Sequence, residues 1–384
     1  MSPTLPTELV EVILEYVFHD ADAKQGDLAR CCRVTSTFLI LARPRLYRVL
    51  KLRVGREEYP GWFQHDRATS EMVDTVLSYP YFAARVQRLE VGGDVGAGYV
   101  PARCTFLNLG KTLFKLMAAC PGIRALRVHP EHESACRTAL LTLSTSSIDR
   151  IELGRLSEAA CGLLHVLSRI LQHLELGAPA DIPDFTPFSL RTSTFSLTSL
   201  DITSQKLLPG SLLELYSSCS QSLQRLTLNS PLSSYPNFLD FPNLHYLHLK
   251  VPSGGNRQPF LSPLPNLVCT LVNIKTLAIS APNLFTLSNI RTLSSTASEC
   301  LAANLPPTLE ALHFQAPYFF PSDLIDILRA SLQAKKLREI GREPYKLHLG
   351  KRDRKKRPGL PTHEEEQELE DECRKRGVNL VALS

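Results

Sequence analysis

Along the middle of the chain one short pattern recurs: an apolar residue, two variable positions, a second apolar residue, one variable position, a third apolar residue. It reads VQRLEV from Val86, IRALRV from Ile123, IDRIEL from Ile148, LQHLEL from Leu171 and LTSLDI from Leu197. It continues as LQRLTL from Leu223, LHYLHL from Leu244, IKTLAI from Ile274 and LEALHF from Leu309. Copies start 21 to 37 residues apart. In a strand alternate residues face opposite sides, so the fourth and sixth positions are predicted to point one way and the third and fifth the other. Between copies, amphipathic stretches such as Ser157–Ile170 and Pro209–Cys219 read as helices that return the chain to the next strand. One copy buries little alone, whereas stacked copies share a continuous core. The expected fold is α/β, a curved solenoid with a parallel sheet and with helices and loops outside it.

A different pattern stands ahead of the repeats. Pro6 suits the first turn of a helix, and nothing breaks a helix from there to about Phe18. On that helix Glu8, Glu11 and Glu15 fall within roughly 60° of arc, while Leu5, Leu9, Val10, Val12, Ile13, Leu14, Tyr16 and Val17 span roughly 200°. A surface helix needs about half that apolar arc. The surplus stripe must be covered by more of this chain or by another protein. After a polar break at His19–Asp27, a short helix is predicted around Leu28–Arg33 and another from a Thr35 cap, closing before Pro44. Three such helices make a core near the lower limit for folding alone.

The repeat pattern resembles the leucine-rich repeat family in an irregular form, over about Val86 to Phe314, with a last degenerate unit at Leu337–Ile340. The family's asparagine or cysteine after the strand is mostly replaced by nearby prolines: Pro179, Pro231, Pro252, Pro282 and Pro317. The leading segment, with LPTEL at Leu5–Leu9, Cys32 and Val34 before Thr35 and Phe38, then LARPRLYRVLKL, resembles an F-box, especially those of fungal proteins. That resemblance implies a three-helix module that binds the Skp-type adaptor of a cullin ubiquitin ligase, with the repeats holding a client protein. It further implies an adaptor interface of Leu5, Pro6, Leu9, Ile13, Leu28, Cys32, Val34 and Phe38, leaving Val10, Leu14 and Val17 to close the module's own core. The alternative is that these helices cap the repeats and pack wholly against them. The implied division is residues 1–52 for the F-box and its exit strand, 53–85 as a connection, 86–345 as the solenoid, and 346–384 as a charged terminal segment that can cap the last repeat.

If the strands are placed correctly, the fifth positions form a column, Glu90, Arg127, Glu152, Glu175, Asp201, Thr227, His248, Ala278 and His313, flanked by third positions that include Arg88, Arg150, His173, Arg225 and Tyr246. Arg127, Glu152, Glu175, Asp201, Arg225, Tyr246 and His248 are the candidate client contacts. The carboxylates of three consecutive repeats repel one another unless a basic group answers them. That group is either a basic client segment or the chain's own neighbours Arg150 and His173 with salt.

Composition narrows the function classes. The 384 residues are 43% hydrophobic and 21% charged with a net charge of +5, an ordinary balance that gives no reason to expect nucleic acid as a partner. No apolar run is long enough for a membrane span. The start of the chain reaches Glu8 without a basic, apolar and small-residue sequence, so a secretory signal is not expected. Ten scattered cysteines without a CxxC pair fit a reducing compartment, cytoplasmic or nuclear. No Walker loop, GxSxG elbow, HExxH or dinucleotide-binding glycine triplet occurs, so catalysis, a cofactor and a metal are not expected. The nearest approach to a metal site is His129, His132 and Cys136, which lacks a fourth ligand. Near the end, Lys351–Arg357 carries a net +5 and Glu364–Glu372 carries seven acidic residues. Those runs can pair with each other, or the basic one can serve nuclear import. A leucine-rich scaffold that acts without ubiquitin is the alternative function.

Overall fold

Burial follows the repeat pattern position by position. The first residue of each copy, from Val86 through Leu309, is 3% exposed or less, and so are the fourth and sixth of every copy. With three apolar positions in six driven inward, the short stretch between them has one extended solution, and each copy forms a strand that starts at its third residue. The computed structural model describes residues 6–19, 30–59, 62–65, 67–92, 105–141, 147–154, 158–177, 195–202, 209–228, 237–250, 270–280, 305–315, 321–331, 335–342 and 363–382. These fall into two units, residues 1–174 and 175–384.

The first unit opens with helix Thr7–His19 and helix Ser36–Leu46. Of the short helix expected over Leu28–Arg33, Arg30 and Cys31 are helical, Cys32 and Arg33 form a turn, and Leu28 and Ala29 lie outside the described residues. Thr35 caps the later helix by accepting from the Phe38 N–H at 3.2 Å. That helix does not close before Pro44 but carries it within its last turn. Pro44, two residues from the helix end, lacks the N–H for one bond of the ladder, and the helix continues to Leu46. Val10, Leu14, Phe38 and Ala42 form the module's core, with Val17, Cys31, Cys32, Leu41 and Leu46 packed against it. Arg45 donates to Glu15 Oε1 from Nε at 2.9 Å and from Nη2 at 2.6 Å, tying the two helices together.

The chain then enters β1 (Val49–Leu52), followed by β2 (Val54–Tyr59), β3 (Trp62–His65), β4 (Arg88–Val91), β5 (Thr105–Asn108), β6 (Ala125–Val128) and β7 (Arg150–Leu153). β1, β4, β6 and β7 pair in parallel in that order, with Lys51, Glu90, Arg127 and Glu152 in one register line. The exit strand of the leading module is therefore the first rung of the repeat sheet. β2, β3 and β5 form a separate antiparallel sheet, built from the connecting segment and the long insertion after β4. Asn108 ends β5 and caps the next helix, Leu109–Ala119, accepting from the Lys111 N–H at 3.0 Å. β8 (His173–Leu176) falls at the division between the units.

The second unit contains β9 (Ser199–Ile202), β10 (Arg225–Leu228), β11 (Tyr246–Lys250), β12 (Thr276–Ser280), β13 (Ala311–Gln315), β14 (Glu339–Arg342) and β15 (Asn379–Ala382), all paired in parallel in chain order. Asp201, Thr227, His248, Ala278 and His313 share one register line. The last helix, His363–Arg376, ends at Gly377, whose φ of +67° is open to glycine at little cost. There the Val378 N–H reaches Cys373 O and the Gly377 N–H reaches Arg374 O, closing the helix and releasing the chain into β15 beside β14. The helix buries Leu369 and Cys373, and Arg329 of helix Pro321–Ala330 binds Glu368 at 2.9 Å. The basic run Lys351–Arg357 and the five prolines named above lie outside the described residues.

Side-chain hydrogen bonds tie successive coils together at one recurring place. The residue before the first apolar position donates to a backbone carbonyl of the preceding coil: Ser147 to Ile123 O at 2.6 Å, Ser222 to Leu197 O at 2.8 Å and Thr308 to Ile274 O at 2.9 Å. Asn243 and Asn273 do the same to Gln221 O and Pro242 O. Each is a polar group answering a carbonyl that the irregular coil leaves outside the sheet ladder. Ser222→Ala and Thr308→Val should each cost about 1 kcal/mol, read as a lower urea midpoint at unchanged slope.

Candidate interaction surfaces

On the first helix the apolar residues separate into two stripes. Val10 and Leu14 are buried at 1% and 0% exposure, and Val17 joins them. Leu9, Val12, Ile13 and Tyr16 are 50%, 66%, 40% and 76% exposed. Their spacing of three, four and seven places them along one side of the helix. Pro6 is exposed just ahead of them. Val34 at 62%, Leu39 at 39% and Ile40 at 69% add exposed apolar side chains from the segment that follows. The surplus arc is thus not consumed by the chain's own packing among the described residues.

The expected adaptor set changes in detail. Leu9, Ile13 and Val34 are exposed and Cys32 is half-buried against the core, while Leu5 and Leu28 lie outside the described residues. Phe38 is corrected: at 8% exposure it belongs to the module's core, because the Thr35 cap fixes the helix start so that Phe38 and Ala42 face Val10 and Leu14. Val12, Tyr16, Leu39 and Ile40 are the exposed residues that the resemblance did not point to.

On the strands of the first unit the carboxylates of the fifth positions are answered from within. Arg88 binds Glu90 at 2.9 Å and, reaching across β6, binds Glu152 at 2.8 Å. Arg127 binds Glu152 at 2.8 Å and Lys51 binds Glu90 at 3.5 Å. A basic client is therefore not needed to relieve Glu152. In the second unit Asp201 is 3.7 Å from Lys250. Burial pushes the Asp201 carboxyl up and nearby Glu175 adds to that, while Lys250 pulls it down. Arg225 lies 4.4 Å over the ring of Tyr246, its register partner on the neighbouring strand, in a cation–π contact.

His248 is corrected as a client contact. It is 8% exposed and hydrogen-bonded to Ser280 on the neighbouring strand. Burial, with the charges of Lys250 and His313 nearby, lowers its pKa from 6.5 to about 4. Between those values the unfolded chain takes up a proton that folded His248 refuses, so its contribution favours unfolding as pH falls from 6.5 toward 4. His248→Gln should flatten the loss of thermal stability over that window. Identical pH profiles for the two proteins would contradict this account.

Around the turn after β6, His129, Glu131 and His132 each bring one potential ligand atom within 4.8 Å of the others. Cys136 does not belong to the group. It is fully buried, and burial pushes its thiol far above the ordinary range. No helix among the described residues is long and apolar enough to cross a membrane.

No protein-family model matches the chain, and no curated protein does. Among solved structures it is similar to the leucine-rich repeat-containing protein LegL7 from Legionella pneumophila, at 15% identity and a TM-score of 0.43, covering 77% of this chain and 81% of that one. It is also similar to the complex of Rad7 and Elc1 in yeast, at 12% identity and a TM-score of 0.39, covering 92% of each chain. Neither likeness is close enough to bear on function.

Proposed function

We propose that this chain is a non-catalytic substrate receptor of a Skp-cullin-F-box ubiquitin ligase. The leading helices bind the Skp-type adaptor, and the strand face formed by the third and fifth positions of the repeats binds the client. The observation that carries this reading is the bare stripe of Leu9, Val12, Ile13 and Tyr16 on a helix whose adjoining stripe of Val10, Leu14 and Val17 closes a small core. Apolar surface left in water is costly unless a partner removes it. The order of LPTEL, Thr35 cap and exit strand resembles that of an F-box.

Ubiquitin transfer then takes place on other subunits. This chain contributes proximity: it raises the local concentration of client lysines beside the charged conjugating enzyme. The test is reconstitution of the full chain with purified Skp-type adaptor and cullin on a size-exclusion column. Co-elution of all three supports the receptor reading. Elution of this chain apart from them contradicts it and leaves the ubiquitin-independent scaffold.

A further inference from the structure

Lys51, Arg88, Arg127 and Arg150 stand on one face of β1, β4, β6 and β7, in the third and fifth positions of the register. Two carboxylates stand among them, Glu90 and Glu152, so the four strands present a net +2 on this face. The two signs are layered. The carboxylate side chains are only 15% and 18% exposed, whereas Lys51 and Arg127 are 44% and 55% exposed. All four carboxylate oxygens are engaged: Glu90 Oε1 by Arg88, Glu90 Oε2 by Lys51, Glu152 Oε1 by Arg127 and Glu152 Oε2 by Arg88.

Such an arrangement does more than neutralise. The carboxylates lie beneath and hold long cationic side chains in fixed places, which lowers the entropy lost when those cations meet a ligand. Arg127 meets Glu152 through Nε, and a guanidinium carries five N–H donors in all. Lys51 and Arg127 stand two strands apart, about 9.6 Å, and same-side residues of an extended chain are about 6.6 Å apart, a difference that flexible glutamate, lysine and arginine side chains can bridge. The submerged carboxylates repel any anion that approaches closely, so a dense polyanion is disfavoured. A nucleic acid would also ask for a wider basic surface and for aromatic stacking platforms, and the outer positions of these four strands carry no aromatic residue.

We propose that this face seats an extended acidic peptide segment, its carboxylates paired with Lys51 and Arg127. This deepens the receptor reading and rests on it for calling that segment a client. It reverses the expectation that an acidic column draws a basic partner.

The test is fluorescence anisotropy of the full chain with a short labelled peptide of alternating Glu and Ser, beside the same peptide with Lys for Glu. The acidic peptide should bind and the basic one should not. Lys51→Ser with Arg127→Ser should weaken the acidic peptide by about tenfold or more, measured at a temperature where circular dichroism shows the variant folded, since Glu90 and Glu152 each lose a partner. Added salt should weaken binding as well. Unchanged affinity in the double variant, preference for the basic peptide, or tighter binding of a single-stranded oligonucleotide would each overturn the proposal. A chain that seats the acidic peptide but captures no adaptor upholds this inference and sinks the receptor reading.

Discussion

Leu9→Asp together with Ile13→Asp is expected to weaken capture of a Skp-type adaptor by more than about a hundredfold while leaving the melting temperature almost unchanged. The two halves of that expectation have different causes. Leu9 and Ile13 are 50% and 40% exposed, so about half of each side chain is still available for burial by a partner. Full burial of such a residue stabilises by about 1.5 to 3 kcal/mol, and a carboxylate forced against an apolar surface adds a desolvation cost of its own. Half of that burial from each of two residues comes to about 1.5 to 3 kcal/mol, and the desolvation of two carboxylates carries the total past the roughly 2.8 kcal/mol that a hundredfold change requires. Neither residue belongs to the core cluster, and changes at such positions usually stay within about 0.5 kcal/mol of neutral. Unaltered adaptor affinity in the double variant would remove the stripe from the interface.

One residue further along, the consequences invert. Leu14→Ala should destabilise the leading module by about 3 to 5 kcal/mol, since Leu14 is fully buried with Val10, Phe38 and Ala42 and its truncation leaves a cavity. A core this small has little reserve. Adaptor binding is then lost through unfolding, visible as a lowered urea midpoint and reduced helical circular dichroism. A Leu14→Ala protein that unfolds at the wild-type urea concentration would contradict the packing described for these helices.

The contrast between Ile13 and Leu14 shows what a pattern can and cannot carry. Periodicity reveals that the first helix has too much apolar surface, because helical spacing is local. Which stripe turns inward depends on where the next helix lies, and that is not local. Phe38 illustrates it: resemblance assigned it to an interface, yet four residues on from it Ala42 faces the same core, and both are buried. In the repeats the inward positions are three apolar residues in every six, so the strands could be placed from the first letter of each copy. The antiparallel sheet of β2, β3 and β5 was missed because β3 pairs with a strand about forty residues later in the chain. Pro60 and Gly61, between two runs of strand-forming residues, were a turn signal for its first half. The charge layer was half legible. Acids in successive copies stood out, but Arg88 reaching over β6 to Glu152 depends on side-chain length and rotamer, which no spacing encodes.

Calorimetric titration of the full chain into purified Skp-type adaptor, repeated at several temperatures, addresses the central claim most directly. If the exposed stripe of the first helix is built to be covered by that partner, one-to-one binding will appear with a distinctly negative heat-capacity change, reduced in the Leu9 and Ile13 variants. Absence of binding heat at every temperature, with the two proteins still eluting separately, would show that the stripe serves something else.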